Sequence, residues 1–198
     1  QEVSFLCTAI SRIDEASDNV DMYKKTKYRM NSGWAFRRLL LGNFVATSTV
    51  LLRKECLSKV GAFNAEFASS QDYELWLRIS RFYKFAFLDK ELVFYRIRRD
   101  GLSANFDRMY EDHVDILKRA KTIFADLSFL DRISVRKGLS YESLRWGASC
   151  FSINEFKKAK RHFSDSIIFW PFSLNAVFYF LVTVLPQAVI IFMRNIKR

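Results

Sequence analysis

Residues 69–82 read SSQDYELWLRISRF, and this stretch predicts the local fold more clearly than any other. The apolar side chains of its later part recur at helical spacing: Leu75, Trp76, Ile79 and Phe82. Polar residues precede them, as is typical of a helix start, so the pattern predicts a helix over residues 71–82. Asp72 then lies on the first turn, where a carboxylate that is fixed by its helix and still reachable by a hydroxyl suits a general base.

The same carboxylate has a structural alternative. Ser69 and Asp72 have the Ser-x-x-Asp spacing of a capping box, in which the acid satisfies backbone donors at the helix start. Both roles can hold at once, and the spacing does not separate them.

The flanking sequence predicts an α/β core. Four segments have the composition of strands: residues 3–10, 44–52, 85–88 and 92–95. The pattern is strongest in residues 44–52, which are rich in Val and Thr. Residues 3–10 are predicted to form a sheet edge or a lead-in strand. A helical or irregular segment is predicted over residues 28–41. A short helix is predicted over residues 53–59, with Gly61 behind it as a stop residue that can take a positive φ.

Longer helical patterns follow from Phe106 onward. Helices are predicted over residues 106–124, 129–151 and 155–169, the last with Asn154 as its candidate N-cap. The acidic pair Glu111 and Asp112 is interpreted as a solvated helix face.

Residues 174–193 form an almost continuous apolar segment that Arg194, Lys197 and Arg198 follow. The length suffices to span a bilayer, whereas Pro186 and the polar residues inside it also suit a kinked or interfacial helix with a basic anchor. A buried core helix is the third alternative.

Composition narrows the classes of partner. The chain has 198 residues, is 50% hydrophobic and carries a formal charge of +11, which implies an acidic partner such as a nucleoside diphosphate, an anionic membrane surface or nucleic acid. No nucleic-acid motif accompanies the charge, so we expect no nucleic-acid partner. Cys7, Cys56 and Cys150 are isolated, which favours reduced, buried thiols in a cytoplasmic protein, and these cysteines with two distant histidines do not support a zinc site.

An ordered set of motifs carries a family resemblance. The set runs over about sixty residues and consists of Asn43 with residues 48–54, the turn at 60–63, the helix segment 72–78, and residues 95–98 with Ser103 downstream. Together they resemble the acceptor-side half of the family 2 glycosyltransferases of the GT-A fold. The resemblance implies an α/β, partial GT-A domain over residues 1–104, a helical extension over 105–170, and a membrane-associated or transmembrane apolar helix with a basic end over 171–198.

The resemblance also implies an activity. Such an enzyme transfers a sugar, with inversion, from a nucleotide-sugar donor to a glycan or lipid-linked acceptor, as in cell-surface polysaccharide synthesis at the cytoplasmic face of the cell membrane. It assigns the catalytic base to Asp72, and Gln71 stands where the family usually has a glutamate. Trp76 follows as a sugar-stacking platform or a core residue. Arg78 would pair with a carboxylate behind the site or reach a phosphate, or else form a surface ion pair.

Four further positions are implied to bind or shape the substrate site. Arg98 stands where the family commonly has a histidine, so it would neutralise diphosphate oxygens instead of holding a metal, or else point to solvent. Asn43, Ser48 and Gly61 would shape the acceptor cleft, or serve as two turn residues and a strand position.

The family's metal motif is absent from the sequence. Its members hold a divalent cation, Mg²⁺ or Mn²⁺, with an Asp-x-Asp motif, and no Asp-x-Asp occurs in these 198 residues. Because the chain begins at Gln1 without a methionine, we expect it to be the C-terminal part of a longer enzyme. The alternative is a non-catalytic, membrane-associated binding or scaffold module derived from such an enzyme.

Overall fold

The computed structural model describes residues 3–13, 32–96, 106–187 and 189–190. The chain divides into two compact units, Gln1–Asp112 and His113–Arg198. The first is a mixed α/β unit and the second is helical. The three domain ranges drawn from the sequence stay predictions.

A three-stranded sheet forms the centre of the first unit. Strand β1, Val3–Ile13, pairs antiparallel with β2, Leu51–Leu52, on one side and parallel with β3, Lys84–Arg96, on the other. The prediction that the first strand lies at an edge is therefore wrong. A central position suits its composition, since Phe5 and Cys7 are fully buried.

The strand predicted over residues 44–52 is wrong for most of its length. The structure has a loop there, a short 3₁₀ helix at Thr47–Thr49, and only the two-residue strand β2. The Thr49 hydroxyl favours this turn, because its Oγ1 donates to the Ala46 carbonyl at 2.7 Å and so competes with a sheet ladder.

The two short strands predicted at 85–88 and 92–95 are a single strand. Along β1, Thr8 pairs with Leu88 and the next residue, Ala9, pairs with Glu91, so the register shifts where the sequence suggested a break. A bulge of this kind accommodates extra residues without ending the strand. The Glu91 carboxylate accepts a hydrogen bond from the Ser11 hydroxyl across the two strands.

The described residues of the first unit also form three helices before the long helix begins. They are α1, Phe36–Leu41, α2, Lys54–Val60, and α3, Gln71–Phe82. The predictions of α2 and α3 are confirmed, as is the role of Gly61, which ends α2 with a φ of 86°. The predicted segment 28–41 is helical in its last part, and its first residues lie outside the described ones.

The helices of the second half also follow the predicted pattern. They are α4, Phe106–Ile123, α5, Phe129–Ser152, α6, Phe156–Phe169, and α7, Leu174–Val184. Asn154 is not the N-cap of α6, because Glu155 takes that position. Asn154 instead ends α5 with a left-handed φ of 66°, and the Glu155 amide closes the turn on the Cys150 carbonyl at 2.9 Å.

The apolar segment 174–193 begins as α7, whose helix ends before Pro186, while residues 188 and 191–198 lie outside the described part. None of the helices in the described residues combines the length and the apolar character that crossing a membrane requires.

Candidate functional site

Asp72 occupies the second position of α3, and its carboxylate is partly exposed. One oxygen, Oδ1, accepts a hydrogen bond from the Tyr73 amide at 2.7 Å, and the other, Oδ2, accepts one from the Thr47 hydroxyl. Since an ionised carboxylate offers about four lone-pair positions, these two donors orient it and leave acceptor capacity on each oxygen. The arrangement can receive a proton from a hydroxyl that approaches from solvent.

The capping-box alternative for Asp72 is wrong. The N-cap of α3 is Ser70, whose side chain makes no capping hydrogen bond, so Ser69 lies one residue too early. The Ser69 amide donates instead to Asp112 Oδ2 at 2.8 Å. Asp112 is therefore more than a solvated face residue, because it ties the approach to α3 to the beginning of α4.

Thr47 is the residue at this site that the sequence analysis missed. Its hydroxyl reaches Asp72 from a position 25 residues earlier in the chain. One threonine in a segment rich in Val and Thr carries no distinguishing signal, and the strand predicted over 44–52 did not anticipate the turn that presents Thr47.

The side chains of Gln71 and Trp76, which flank Asp72 on α3, contact other parts of the protein. In the amide orientation that satisfies both groups, the Gln71 nitrogen donates to the Phe67 carbonyl at 2.6 Å and to the Ala68 carbonyl at 3.1 Å, in the preceding turn. Trp76 is 2% exposed and stacks on Phe5, with ring centroids 5.9 Å apart. Trp76 is therefore a core residue, and its ring has no exposed face for the predicted stacking on a sugar.

Arg78 pairs with a carboxylate inside the protein. Its Nε and Nη2 atoms each lie 2.7 Å from an oxygen of Glu74, one helical turn earlier. The guanidinium also donates to the carbonyls of Val60 and, at 2.7 Å, Ala62. With side-chain exposures of 16% for Arg78 and 6% for Glu74, the pair is largely buried, which excludes the alternative of a surface ion pair.

Gly61 is the middle residue of the turn that Arg78 holds. Its φ of 86° favours glycine, and an added Cβ would lie 3.6 Å from the Arg78 guanidinium. We name this arrangement of Arg78, Glu74 and the carbonyls of residues 60–62 the arginine clamp. It fixes α2 and its following turn to α3.

Of the remaining predicted positions, Asn43 and Ser48 lie in the described residues and Arg98 does not. Asn43 accepts a hydrogen bond from the Val45 amide at 3.1 Å, as a turn residue does, and Ser48 is exposed within the short 3₁₀ helix beside Thr47. Ser48 and Asp72 therefore belong to neighbouring segments. Arg98 lies outside the described residues.

The three cysteine side chains lie in the protein interior. Cys7, Cys56 and Cys150 are buried and free. Burial raises the pKa of the Cys7 thiol to about 11, against smaller opposing effects of its hydrogen bond with Thr49 and of the Arg38 charge. Burial likewise raises the pKa of Cys56. In the described part of the chain, no group of three or more His, Cys, Asp or Glu side chains could hold a metal ion.

Comparison with known proteins finds a distant relative, the uncharacterized glycosyltransferase MJ1057 of Methanocaldococcus jannaschii. It is 22% identical over 202 residues, a match that covers 100% of this chain and 56% of the relative. The chain thus spans about half the length of that protein. No family model and no solved structure matches the chain. The match indicates a relationship to a glycosyltransferase.

Proposed function

We propose that the chain is the acceptor-side part of an inverting glycosyltransferase of family 2 with a GT-A fold. It transfers a sugar from a nucleotide-sugar to a glycan or lipid-linked acceptor, at the cytoplasmic face of the cell membrane and in the synthesis of cell-surface polysaccharide. The relationship to a glycosyltransferase supports the reaction class. The mixed α/β first unit is compatible with part of a nucleotide-sugar transferase domain.

The observation that carries this proposal is the setting of Asp72. Its carboxylate is partly exposed at a helix start, oriented by the Thr47 hydroxyl and the Tyr73 amide. In the proposed reaction the acceptor hydroxyl attacks the anomeric carbon of the donor, and its proton passes to Asp72. The nucleoside diphosphate leaves with the electron pair of the broken bond.

Two groups could stabilise the leaving diphosphate in this reaction class, an arginine and a divalent cation. Arg98 is proposed to neutralise the leaving diphosphate through paired hydrogen bonds, as the sequence resemblance implies. The described residues do not fit the divalent cation that the family uses, because no group of suitable ligands occurs among them.

Replacing Asp72 with asparagine tests the proposal in the full-length protein. D72N keeps the shape of the side chain and removes the base, so release of nucleoside diphosphate in the presence of acceptor should fall about a hundred- to ten-thousandfold. Nucleotide affinity and the thermal unfolding curve should stay unchanged. Asp112 supplies the control, since it is a second partly exposed aspartate near the start of α3, and D112N should retain transfer.

Retained turnover in D72N would remove Asp72 from the mechanism. Equal loss in D72N and D112N would show that the effect comes from the approach to α3 and not from a base.

The absence of Asp-x-Asp from the sequence favours a second candidate, a binding module without transfer chemistry. Titration with uridine and guanosine diphosphate sugars, with and without Mn²⁺, separates the two. The module should bind acceptor glycans and no donor in the full-length protein.

A further inference from the structure

Helix α7 presents an apolar face to solvent. Its inward side carries Ala176, Tyr179 and Thr183, and Tyr179 stacks on Phe163 of α6 with ring centroids 5.3 Å apart. The opposite side is a stripe at helical spacing whose side chains are between 41% and 81% exposed: Leu174, Phe178, Leu181 and Leu185. A contiguous exposed apolar surface marks a docking site.

The apolar surface continues through the end of α6 and the turn that precedes α7. Phe172 and Ile168 are both more than half exposed, and Trp170 lies between them in the sequence. No Lys, Arg, Asp or Glu occurs between Asp165 and Arg194. We name the stripe of α7 together with this turn the α7 face.

Exposed cations border the α7 face. Lys137 Nζ lies 4.8 Å from the centroid of the Trp170 ring, and Lys160 Nζ lies 5.7 Å from that of the Phe180 ring. Arg136 Nε donates to the Phe169 carbonyl at 3.1 Å. Residues 113–198 hold fourteen Lys and Arg against six Asp and Glu, a net charge of +8. The apolar face is therefore set in a positively charged unit.

We propose that the α7 face docks on an anionic lipid bilayer, with α7 lying in the plane of the interface. Because the helix packs on α6 along its inward side, only the outward stripe meets the acyl chains. Trp170 and Phe172 would lie at the level of the headgroups, and Lys137, Lys160 and Arg136 would meet lipid phosphates. A protein partner that covered the apolar stripe would not by itself account for cations around a segment free of acidic charge.

Vesicle flotation tests the inference without any sugar donor, so its result is independent of the transferase proposal. The purified protein is mixed with vesicles of equal parts phosphatidylglycerol and phosphatidylcholine, or of phosphatidylcholine alone. We expect binding to the mixed vesicles at least about tenfold tighter than to the neutral ones, and weaker at high salt.

Matched double variants identify the face. F178S/L181S should weaken binding to the mixed vesicles about tenfold or more, since two side chains that are 62% and 60% exposed no longer enter the acyl layer. L92S/F94S alters a leucine and a phenylalanine of β3 that are 62% and 64% exposed, and it should bind as the unaltered protein does. K137Q/K160Q should lower binding to the mixed vesicles and leave binding to neutral vesicles unchanged.

Three results would overturn the inference. They are an absence of vesicle binding, equal losses in F178S/L181S and L92S/F94S, and a dimer in solution that F178S/L181S converts to a monomer without any lipid binding. The last result would identify the α7 face as an interface between copies of the chain.

Discussion

Replacing Arg78 with alanine should destabilise the protein far more than the loss of an exposed ion pair. The guanidinium binds both oxygens of Glu74 and the carbonyls of Val60 and Ala62. Alanine leaves the Glu74 carboxylate, with only 6% of its side chain exposed, without this cation. The turn after α2 loses its donors in the same step.

The magnitude follows from that burial. Removing one partner of a buried ion pair costs about 3–5 kcal/mol, because the other charge stays buried without compensation. At about 2–4 °C per kcal/mol for a chain of this size, the Tm of R78A should fall by about 6–20 °C. R78K should lose less, since lysine keeps the charge and gives up the paired hydrogen bonds.

Arg119 provides a matched control. It forms a 2.8 Å pair with Asp115 at the same i, i+4 spacing, with side-chain exposures of 49% and 43%. R119A should change the free energy of unfolding by no more than about 0.5 kcal/mol. Urea denaturation followed by tryptophan fluorescence and circular dichroism measures both variants.

A second substitution tests the cause of the loss. E74Q combined with R78A should recover part of the stability, because an amide is less costly to bury than an unpaired carboxylate. If R78A and R119A lose equal amounts, or if E74Q makes R78A still less stable, the reasoning from burial is refuted.

Two further predictions concern single residues. Asn154 has a φ of 66°, so N154A should lose about 1 kcal/mol of unfolding free energy while N154G stays within about 0.5 kcal/mol, as measured by urea denaturation. The Cys7 thiol, with a pKa of about 11 against an ordinary 9.0, should resist iodoacetamide at pH 8 until the protein is denatured, which mass spectrometry detects. Because the folded state keeps the Cys7 proton longer than the unfolded state does, stability should fall as the pH rises from about 9 to 11, and less so in C7S.

Local patterns in the sequence predicted most helices, because the apolar spacing and the end residues of a helix lie within a few turns of one another. The bounds of α3 agree with the prediction over residues 71–82, since apolar spacing and polar lead-in point to the same start and end. Gly61 ends α2 as predicted, because glycine is the residue that adopts a positive φ most readily.

Features that depend on distant residues were not predictable in this way. The central position of β1 arises from partners near residues 52 and 85, and strand composition does not encode strand order. The Thr47 hydroxyl contacts Asp72 only after the loop that holds Thr47 has packed against α3. The carbonyls that bind Arg78 have no side-chain signature at all.

The contacts of α3 explain why one helix can present a base and still remain firmly placed. Its first two turns bind three separate segments, through Asp72 to Thr47, through the Tyr73 hydroxyl to the Leu39 carbonyl at 2.6 Å, and through the arginine clamp to residues 60–62. The Tyr73 bond is buried and the Arg78–Glu74 pair largely so, and both set the position of the helix, whereas the Thr47 bond is exposed and orients only the carboxylate. Loss of the clamp should therefore disturb folding and site together, while loss of the Thr47 hydroxyl should disturb Asp72 alone.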